Sequence, residues 1–241
     1  MGAAVTKNCQ GPTVGTVIFL QGRGPVFYAS LPRDSDARHR LVAILWDHFA
    51  ATAGPGWQGR RGKELTALPI QAVSGLLGRP QLLWGEHPGP AISFSEGGGK
   101  VWAALCGDGS DIGIDVAGAE EFPGDYPFHR VFQPRELEHA LPLAGGELAA
   151  ASALLWSVKE AVVKALGCGF HRVEPRHITV YPAVAGATGG DGAQTFAVSL
   201  SGKARERFPF AGSRCLWVRS LPQRRRWLSI AHLQRPPAVH A

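Results

Sequence analysis

Glycine and proline break this chain into short stretches. Its 241 residues include 31 glycines and 18 prolines, about a fifth of the chain, whereas an average protein has about an eighth. Because glycine favours turns and proline ends helices and central strands, such a chain is poorly suited to a bundle of long helices. We therefore expect many turns and short elements in a mixed or β-rich fold.

The proportions of apolar and charged residues indicate a folded protein. Apolar residues make up 45% of the chain and charged residues 18%, against about 25% charged residues in an average protein. Disordered segments and coiled coils carry many more charges, so both classes are disfavoured. A length of 241 residues fits either one large domain or two small ones.

The four cysteines stand far apart, at positions 9, 106, 168 and 215. They form no C-x-x-C pair and are too few for a disulfide scaffold, so zinc binding and an oxidising compartment are both disfavoured. The chain also has no run of about 18 apolar residues, which a membrane-spanning helix requires. We therefore expect a cytoplasmic protein that makes no membrane contacts, and we expect it to be a monomer.

The 25 basic residues exceed the 19 acidic residues by six, which favours anionic partners in general. The densest basic cluster is Arg224, Arg225 and Arg226, between a proline and an apolar run. That position is typical of a solvated turn before a strand. A nucleic-acid-binding patch is the weaker alternative, because no recognised nucleic-acid motif accompanies the cluster. We expect no nucleic acid among the partners.

Hydrophobic periodicity divides the chain into short strands and a few helices. Apolar runs predict a hairpin at 14–20 and 25–31, a small antiparallel sheet at 91–95, 101–106 and 112–116, and further strands at 177–182, 195–200, 215–221 and 227–233. Helical spacing is found at 41–53, more weakly at 65–77, after Pro134, and most clearly at 148–166, where Gly167 ends the helix.

The helix predicted at 148–166 has two contrasting faces. At about 100° per residue, the core face consists of Leu155, Val158, Val162 and Ala165. The opposite face carries Trp156, Glu160 and Lys164, with Lys159 on its flank. This face is either an ordinary helix surface, with a stabilising Glu160–Lys164 pair one turn apart, or part of a functional site.

A carboxylate interrupts the apolar strand at 113–117. Asp115 lies within a run rich in β-branched residues, where an ionised carboxylate is unfavourable unless it is paired or binds a cation. An edge-strand aspartate in solvent is the alternative. If Asp115 and Glu160 converge, they provide two oxygen ligands suited to a Mg²⁺ ion completed by water and phosphate.

The two segments together resemble a known family. The strand Gly113-Ile-Asp-Val116, followed by W-S-x-K-E-A-x-x-K-A-x-G at 156–167, is similar to the signature of the 4′-phosphopantetheinyl transferase superfamily. The resemblance is to its longer, two-half form, typified by the surfactin-synthetase activating enzyme. It extends to Gly78-Arg79-Pro80, to Ile92-Ser93-Phe94-Ser95 and to the segment from Arg130 to Glu136, and it covers residues 78–182 well.

The resemblance implies an α+β fold with two pseudo-symmetric halves, at residues 1–110 and 111–241, each with a helix packed on a small antiparallel sheet. The active site would lie in the cleft between the halves. The implied activity is transfer of the 4′-phosphopantetheine arm of coenzyme A onto a serine of an acyl or peptidyl carrier protein, with release of adenosine 3′,5′-bisphosphate. Such carriers serve fatty acid, polyketide and nonribosomal peptide biosynthesis, and they are acidic.

The resemblance also implies roles for particular residues. Asp115 and Glu160 would hold Mg²⁺, and Glu160 would assist deprotonation of the incoming serine. Lys164 and Lys159 would contact the pyrophosphate of coenzyme A. In the first half, coenzyme A would bind to Arg79, which stands where the family has lysine.

The family motif further assigns Ser93 to the nucleotide phosphates. Two positions depart from the motif. Ala117 replaces a second acid on the strand face of Asp115, so water, Glu120 or Glu121 would have to complete the metal site. Phe94 replaces a histidine that contacts a phosphate of coenzyme A, so arginines such as Arg38 and Arg40 would have to supply that contact. A weak or silent relative that binds carrier protein or coenzyme A without transfer is therefore the alternative function.

Overall fold

The fold consists of many short strands and two longer helices. The computed structural model describes residues 13–19, 24–52, 70–74, 79–84, 87–107, 109–183, 192–212 and 216–234. The strands are β1 (Gly15–Val17), β2 (Val26–Pro32), β3 (Ile70–Ser74), β4 (Pro80–Trp84), β5 (His87–Pro88), β6 (Ala91–Gly97), β7 (Lys100–Cys106), β8 (Asp111–Gly118), β9 (Ile178–Ala183), β10 (Gln194–Leu200), β11 (Leu216–Gln223) and β12 (Arg226–Leu233). The helices are α1 (Ala37–Thr52), α2 (Phe128–Val131), α3 (Pro134–Leu143), α4 (Leu148–Ala165), α5 (Gly202–Arg207) and α6 (Pro209–Gly212), with 3-10 helices at Ala119–Glu121 and Pro175–His177.

The strands form three antiparallel sheets. The first has the order β1-β2-β7-β6, the second β8-β12-β11-β10-β9 and the third β3-β4-β5. Pairing of β1 with β2 confirms the predicted hairpin. In the second sheet, β8 is an edge strand that pairs along its whole length with β12, so that Asp115 lies opposite Ser229.

The two larger sheets pack face to face, and each is covered by one helix. In β7, Val101, Ala103 and Leu105 pack with α1, whereas Trp102, Ala104 and Cys106 pack with Ile112, Ile114 and Val116 of β8. Alternate side chains of a strand point to opposite faces of its sheet, so the layers run α1, four-stranded sheet, five-stranded sheet, α4. This arrangement confirms the α+β fold with a helix on an antiparallel sheet in each half.

Helix α4 lies directly on β8. Its apolar face is buried, and Gly113 permits the close approach, since a Cβ atom at this position would lie 1.9 Å from the carbonyl oxygen of Ala161. The helix ends as predicted, with Gly167 at a φ of +73°, which glycine adopts without strain. In the described part of the chain, no single helix is long and apolar enough to cross a membrane. Helices α3 and α4 reach that length and apolar content only when taken together, and the chain bends by 110° between them.

Two expectations about secondary structure are corrected, and two short helices are additional. Residues 70–74 form β3, not part of a helix at 65–77, and pair with β4; the rest of 65–77 and Gly78 lie outside the described residues. The strand predicted at 112–116 pairs with β12 rather than joining its neighbours at 91–95 and 101–106, because its apolar side chains cover the inner face of the second sheet. The short helices α5 and α6 follow β10 and were not predicted.

Candidate active site

Asp115 is buried and paired, although it belongs to an edge strand. Only 7% of the Asp115 surface is exposed. Oδ1 accepts hydrogen bonds from Ser95 Oγ at 2.8 Å and from Lys164 Nζ at 2.7 Å. The alternative of a solvent-exposed aspartate is therefore wrong, and the prediction that this carboxylate needs a partner is confirmed.

Lys164 ties helix α4 to β8. Its ammonium donates to the backbone carbonyl of Ile114 at 3.1 Å as well as to Asp115. The side chain is 28% exposed, so solvent still reaches it. The lysine forms its ion pair across the helix–strand contact, whereas an ordinary helix surface would pair it with Glu160 along the helix.

Glu160 shares this environment. The pKa of its carboxyl is raised from 4.5 to about 7, first by burial and next by the negative charge of Asp115, while the charge of Lys164 acts in the opposite direction. The carboxyl thus titrates near neutral pH instead of being fully ionised. Asp115, Glu160 and Lys164 form one electrostatic unit on the contact between α4 and β8.

The electrostatic unit fits a divalent cation. Two carboxylates close enough to raise the pKa of one of them gain from a cation between them, and Mg²⁺ commonly binds one or two carboxylates with water and phosphate in the other positions. Among the residues that the structure describes, no group of three or more acidic, histidine or cysteine side chains forms a metal site. Ala117, which is fully buried, stands where the motif of the resembled family has a second acid.

The two acids that follow β8 have other partners. Glu121 Oε1 accepts from the backbone N–H of Gly118 at 2.8 Å, and both Glu120 and Glu121 lie against the guanidinium of Arg226. Burial raises the pKa of Glu121 in spite of the Gly118 hydrogen bond, and the charge of Asp115 contributes to the rise. Glu121 is therefore within electrostatic reach of Asp115 but is engaged in a turn.

Ser93 and Ser95 join the two sheets. Both are buried, and their hydroxyls accept hydrogen bonds from the backbone N–H groups of Ile114, at 3.1 Å, and Val116, at 3.2 Å. The expectation that Ser93 contacts nucleotide phosphates is corrected, because its hydroxyl lies inside this junction. Ser95 was not predicted as a site residue, although its two-residue spacing from Ser93 places both on one strand face.

Lys159 belongs to the core rather than to the site. Its side chain is 0% exposed, and its ammonium donates to Val131 O, Glu136 Oε2 and Pro175 O at 3.1, 2.8 and 2.9 Å. Burial lowers its pKa, and the charge of Glu136 opposes that effect. The expectation that Lys159 contacts pyrophosphate is corrected, because its three donors are already used.

Arg79 lines a cavity of about 640 Å³ together with residues of β4, the segment 88–92, Gly107 and residues 109–111. Its guanidinium forms an ion pair with Asp111 at the start of β8. It also lies against Gly167, since a Cβ there would be 3.3 Å from Arg79 Cδ. Arg79 thus stands beside the end of α4, three residues beyond Lys164.

Arg38 lies next to the phenylalanine that replaces the family's histidine. Its guanidinium carbon is 5.6 Å from the centre of the Phe94 ring, and Nη2 donates to Glu96 at 3.0 Å. Arg40 instead pairs with Asp34. Of the two arginines suggested by the sequence, the structure therefore places Arg38 at this position.

The comparisons with known proteins agree with the site's motifs. The family model for the 4′-phosphopantetheinyl transferase superfamily (ACPS) matches residues 111–201, the segment that contains Asp115, Glu160 and Lys164. This segment is similar to the 4′-phosphopantetheinyl transferase superfamily. The resemblance seen in the sequence is thereby confirmed for residues 111–201, whereas the surfactin-activating subtype stays a prediction.

Solved structures give a weaker likeness. A structure described as an ACPS–CoA complex from Chronobacterium ammoniagenes is 22% identical, covers 53% of this chain and 98% of its own, and has a TM-score of 0.40. An apo-ACPS structure from the same source is 20% identical, covers 52% of this chain and 98% of its own, and has a TM-score of 0.38. No curated protein matches the chain.

The raised pKa of Glu160 predicts how stability changes with pH in the absence of metal. Between pH 4.5 and about 7 the folded protein retains a proton at Glu160 that the unfolded chain has released, so this carboxyl destabilises the fold increasingly as pH rises. Glu160→Gln removes the effect. Urea unfolding in chelator should show the variant gaining about 1–3 kcal/mol relative to wild type between pH 5 and pH 8. An equal difference at both pH values would contradict the assignment.

Proposed function

We propose that this protein transfers the 4′-phosphopantetheine arm of coenzyme A onto a serine of an acyl or peptidyl carrier protein and releases adenosine 3′,5′-bisphosphate. The observation that carries the proposal is the convergence of Asp115, Glu160 and Lys164 on one contact between α4 and β8. This contact lies within the segment that matches the model of the transferase superfamily.

The residues of the chain supply three requirements of the reaction. Glu160, whose carboxyl shares the contact between α4 and β8 with Asp115 and Lys164, would accept the proton of the serine hydroxyl. Asp115 and Glu160 would hold Mg²⁺, which when bound neutralises phosphate charge and polarises the phosphoryl oxygen. Lys164 supplies a positive charge that stabilises the pyrophosphate as negative charge develops during the transfer.

The cavity beside Arg79 suits the nucleotide end of coenzyme A. Its volume of about 640 Å³ is in the range of small-molecule sites. The guanidinium of Arg79 can bind a phosphate with two parallel hydrogen bonds, at the expense of its ion pair with Asp111. Coenzyme A bound here would lie near Arg79 at one end and Lys164 at the other.

The partner that we propose is an acidic carrier protein. A net charge of +6 attracts such a protein at long range, and added salt should slow the association. We propose that the enzyme acts as a monomer in the cytoplasm, the compartment expected from its cysteines. Cys168 is a free thiol in the described residues, whereas Cys9 and Cys215 lie outside them.

A silent relative that binds without transfer is the second candidate. It is favoured by Ala117, which removes one carboxylate from the metal site, and by Phe94, which removes one phosphate contact. Calorimetry that detects binding of coenzyme A or of carrier protein, together with no modified product, would support this candidate.

Mass spectrometry of carrier proteins tests the proposed function. The purified protein is incubated with coenzyme A, Mg²⁺ and apo carriers of the fatty-acid, polyketide and peptide classes. At least one carrier should gain the mass of the phosphopantetheine arm, and a copy of that carrier with its acceptor serine replaced by alanine should not. Unchanged masses for all three classes would contradict the proposal.

A further inference from the structure

We propose that Ser95 is a positioning residue that fixes the carboxylate of Asp115 for cation binding; the inference rests on the proposed function. Ser95 Oγ is 2.8 Å from Asp115 Oδ1 and 3.2 Å from the backbone nitrogen of Val116. An ionised carboxylate only accepts hydrogen bonds, so the hydroxyl proton points to Asp115. The N–H of Val116 then donates to the serine oxygen, and the hydroxyl has a single orientation.

The hydrogen bond between Ser95 and Asp115 joins two different sheets. Ser95 belongs to β6 of the four-stranded sheet, whereas Asp115 belongs to β8 of the five-stranded sheet. The carboxylate is thus fixed from the first half by Ser95 and from α4 by Lys164. Hydrogen bonds that orient a metal ligand commonly change metal affinity by about 10- to 100-fold when they are removed.

Ser93 provides a matched control within the same strand. It lies two residues before Ser95 on the same strand face, is also buried, and accepts from the N–H of Ile114 at 3.1 Å. Ser93→Ala and Ser95→Ala therefore each remove one serine acceptor of a β8 amide. Of these two serines, Ser95 is the one that donates to the carboxylate of Asp115, so the difference between the two variants isolates that contact.

The test uses the full chain and two independent measurements. The first is the side-chain rotamer of Asp115, from NMR couplings in the metal-free protein. Wild type and Ser93→Ala should each show one rotamer, and Ser95→Ala should show averaging. The second is Mg²⁺ affinity by calorimetry with coenzyme A bound. It should fall by about tenfold in Ser95→Ala, and by less than about threefold both in Ser93→Ala and in Ser95→Thr, which keeps the hydroxyl.

The two measurements separate this inference from the proposed function. If wild type binds no Mg²⁺, the proposed function fails, and the rotamer comparison still decides the role of Ser95. If Asp115 keeps one rotamer in Ser95→Ala, or if Ser95→Ala and Ser93→Ala bind Mg²⁺ equally, the inference is overturned. Circular dichroism first establishes folding; should Ser95→Ala fail to fold, Ser95→Cys takes its place, since a thiol is a weaker donor.

Discussion

Glu160→Gln is expected to lower the turnover number for carrier modification by at least about a hundredfold, because the variant loses the proton acceptor and one of two anionic ligands. Glutamine has the size of glutamate and cannot take up the proton of the serine hydroxyl. Asp115→Asn should have a comparable effect through loss of the second anionic ligand. Rates are measured from the mass of the carrier at saturating coenzyme A and Mg²⁺.

Arg225→Ala is the control for these variants. Arg225 lies in the exposed turn between β11 and β12, and its removal should change the turnover number by less than about twofold, as is usual for surface substitutions away from a site. Glu160→Gln should also unfold no more easily than wild type at pH 8, since a buried charge is removed. Turnover within threefold of wild type in Glu160→Gln would contradict the assigned role.

Lys159→Met is expected to lower the free energy of unfolding by about 3–5 kcal/mol, the usual cost of removing one partner of a buried ion pair. Glu136 is 2% exposed and would keep its hydrogen bonds from the backbone N–H groups of Gln133 and Val180. Its charge would then lack a buried counter-ion. Urea unfolding at pH 7.5 measures the change.

Two comparisons test the cause of the Lys159 effect. Lys203→Met, at an exposed position in α5, should change the free energy of unfolding by no more than about 0.5 kcal/mol. The double variant Lys159→Met/Glu136→Met should recover part of the loss, because no charge remains buried. A loss below about 1 kcal/mol in Lys159→Met would mean that the pair stabilises the fold little.

Much of the fold could be predicted from local sequence. The Ala- and Leu-rich helix at 148–166 and the strands after residue 177 carry strong periodicity, so their positions agree with the structure. Pairing of β8 was the main difficulty. Its neighbours β6 and β7 lie nearby in the chain, which favours one sheet for all three, but the inner face of the second sheet needs the apolar side chains of β8. Such a distant requirement is not visible in a local pattern.

The candidate site could be predicted in part. A carboxylate within an apolar strand indicated Asp115. The polar face of the helix at 148–166 indicated Glu160 and Lys164. Helical spacing left Lys159 on the flank of that face, and only the contacts with Glu136 and two carbonyl groups show that it belongs to the core. The role of Ser95 depends on how two sheets meet, which the sequence of one strand does not specify.

A metal-rescue measurement tests the central claim that Asp115 binds the cation required for transfer. Asp115→Cys replaces a carboxylate with a thiol, and thiolates favour soft cations such as Cd²⁺ over Mg²⁺. Carrier modification by the variant, followed by mass spectrometry, should be at least about a hundredfold slower than wild type with Mg²⁺. Replacing Mg²⁺ with Cd²⁺ should raise the rate of carrier modification by the variant at least about tenfold and should not raise the rate of wild type. The claim would be contradicted if the variant modified the carrier at the same rate with either cation, or if the variant with Mg²⁺ were as fast as wild type.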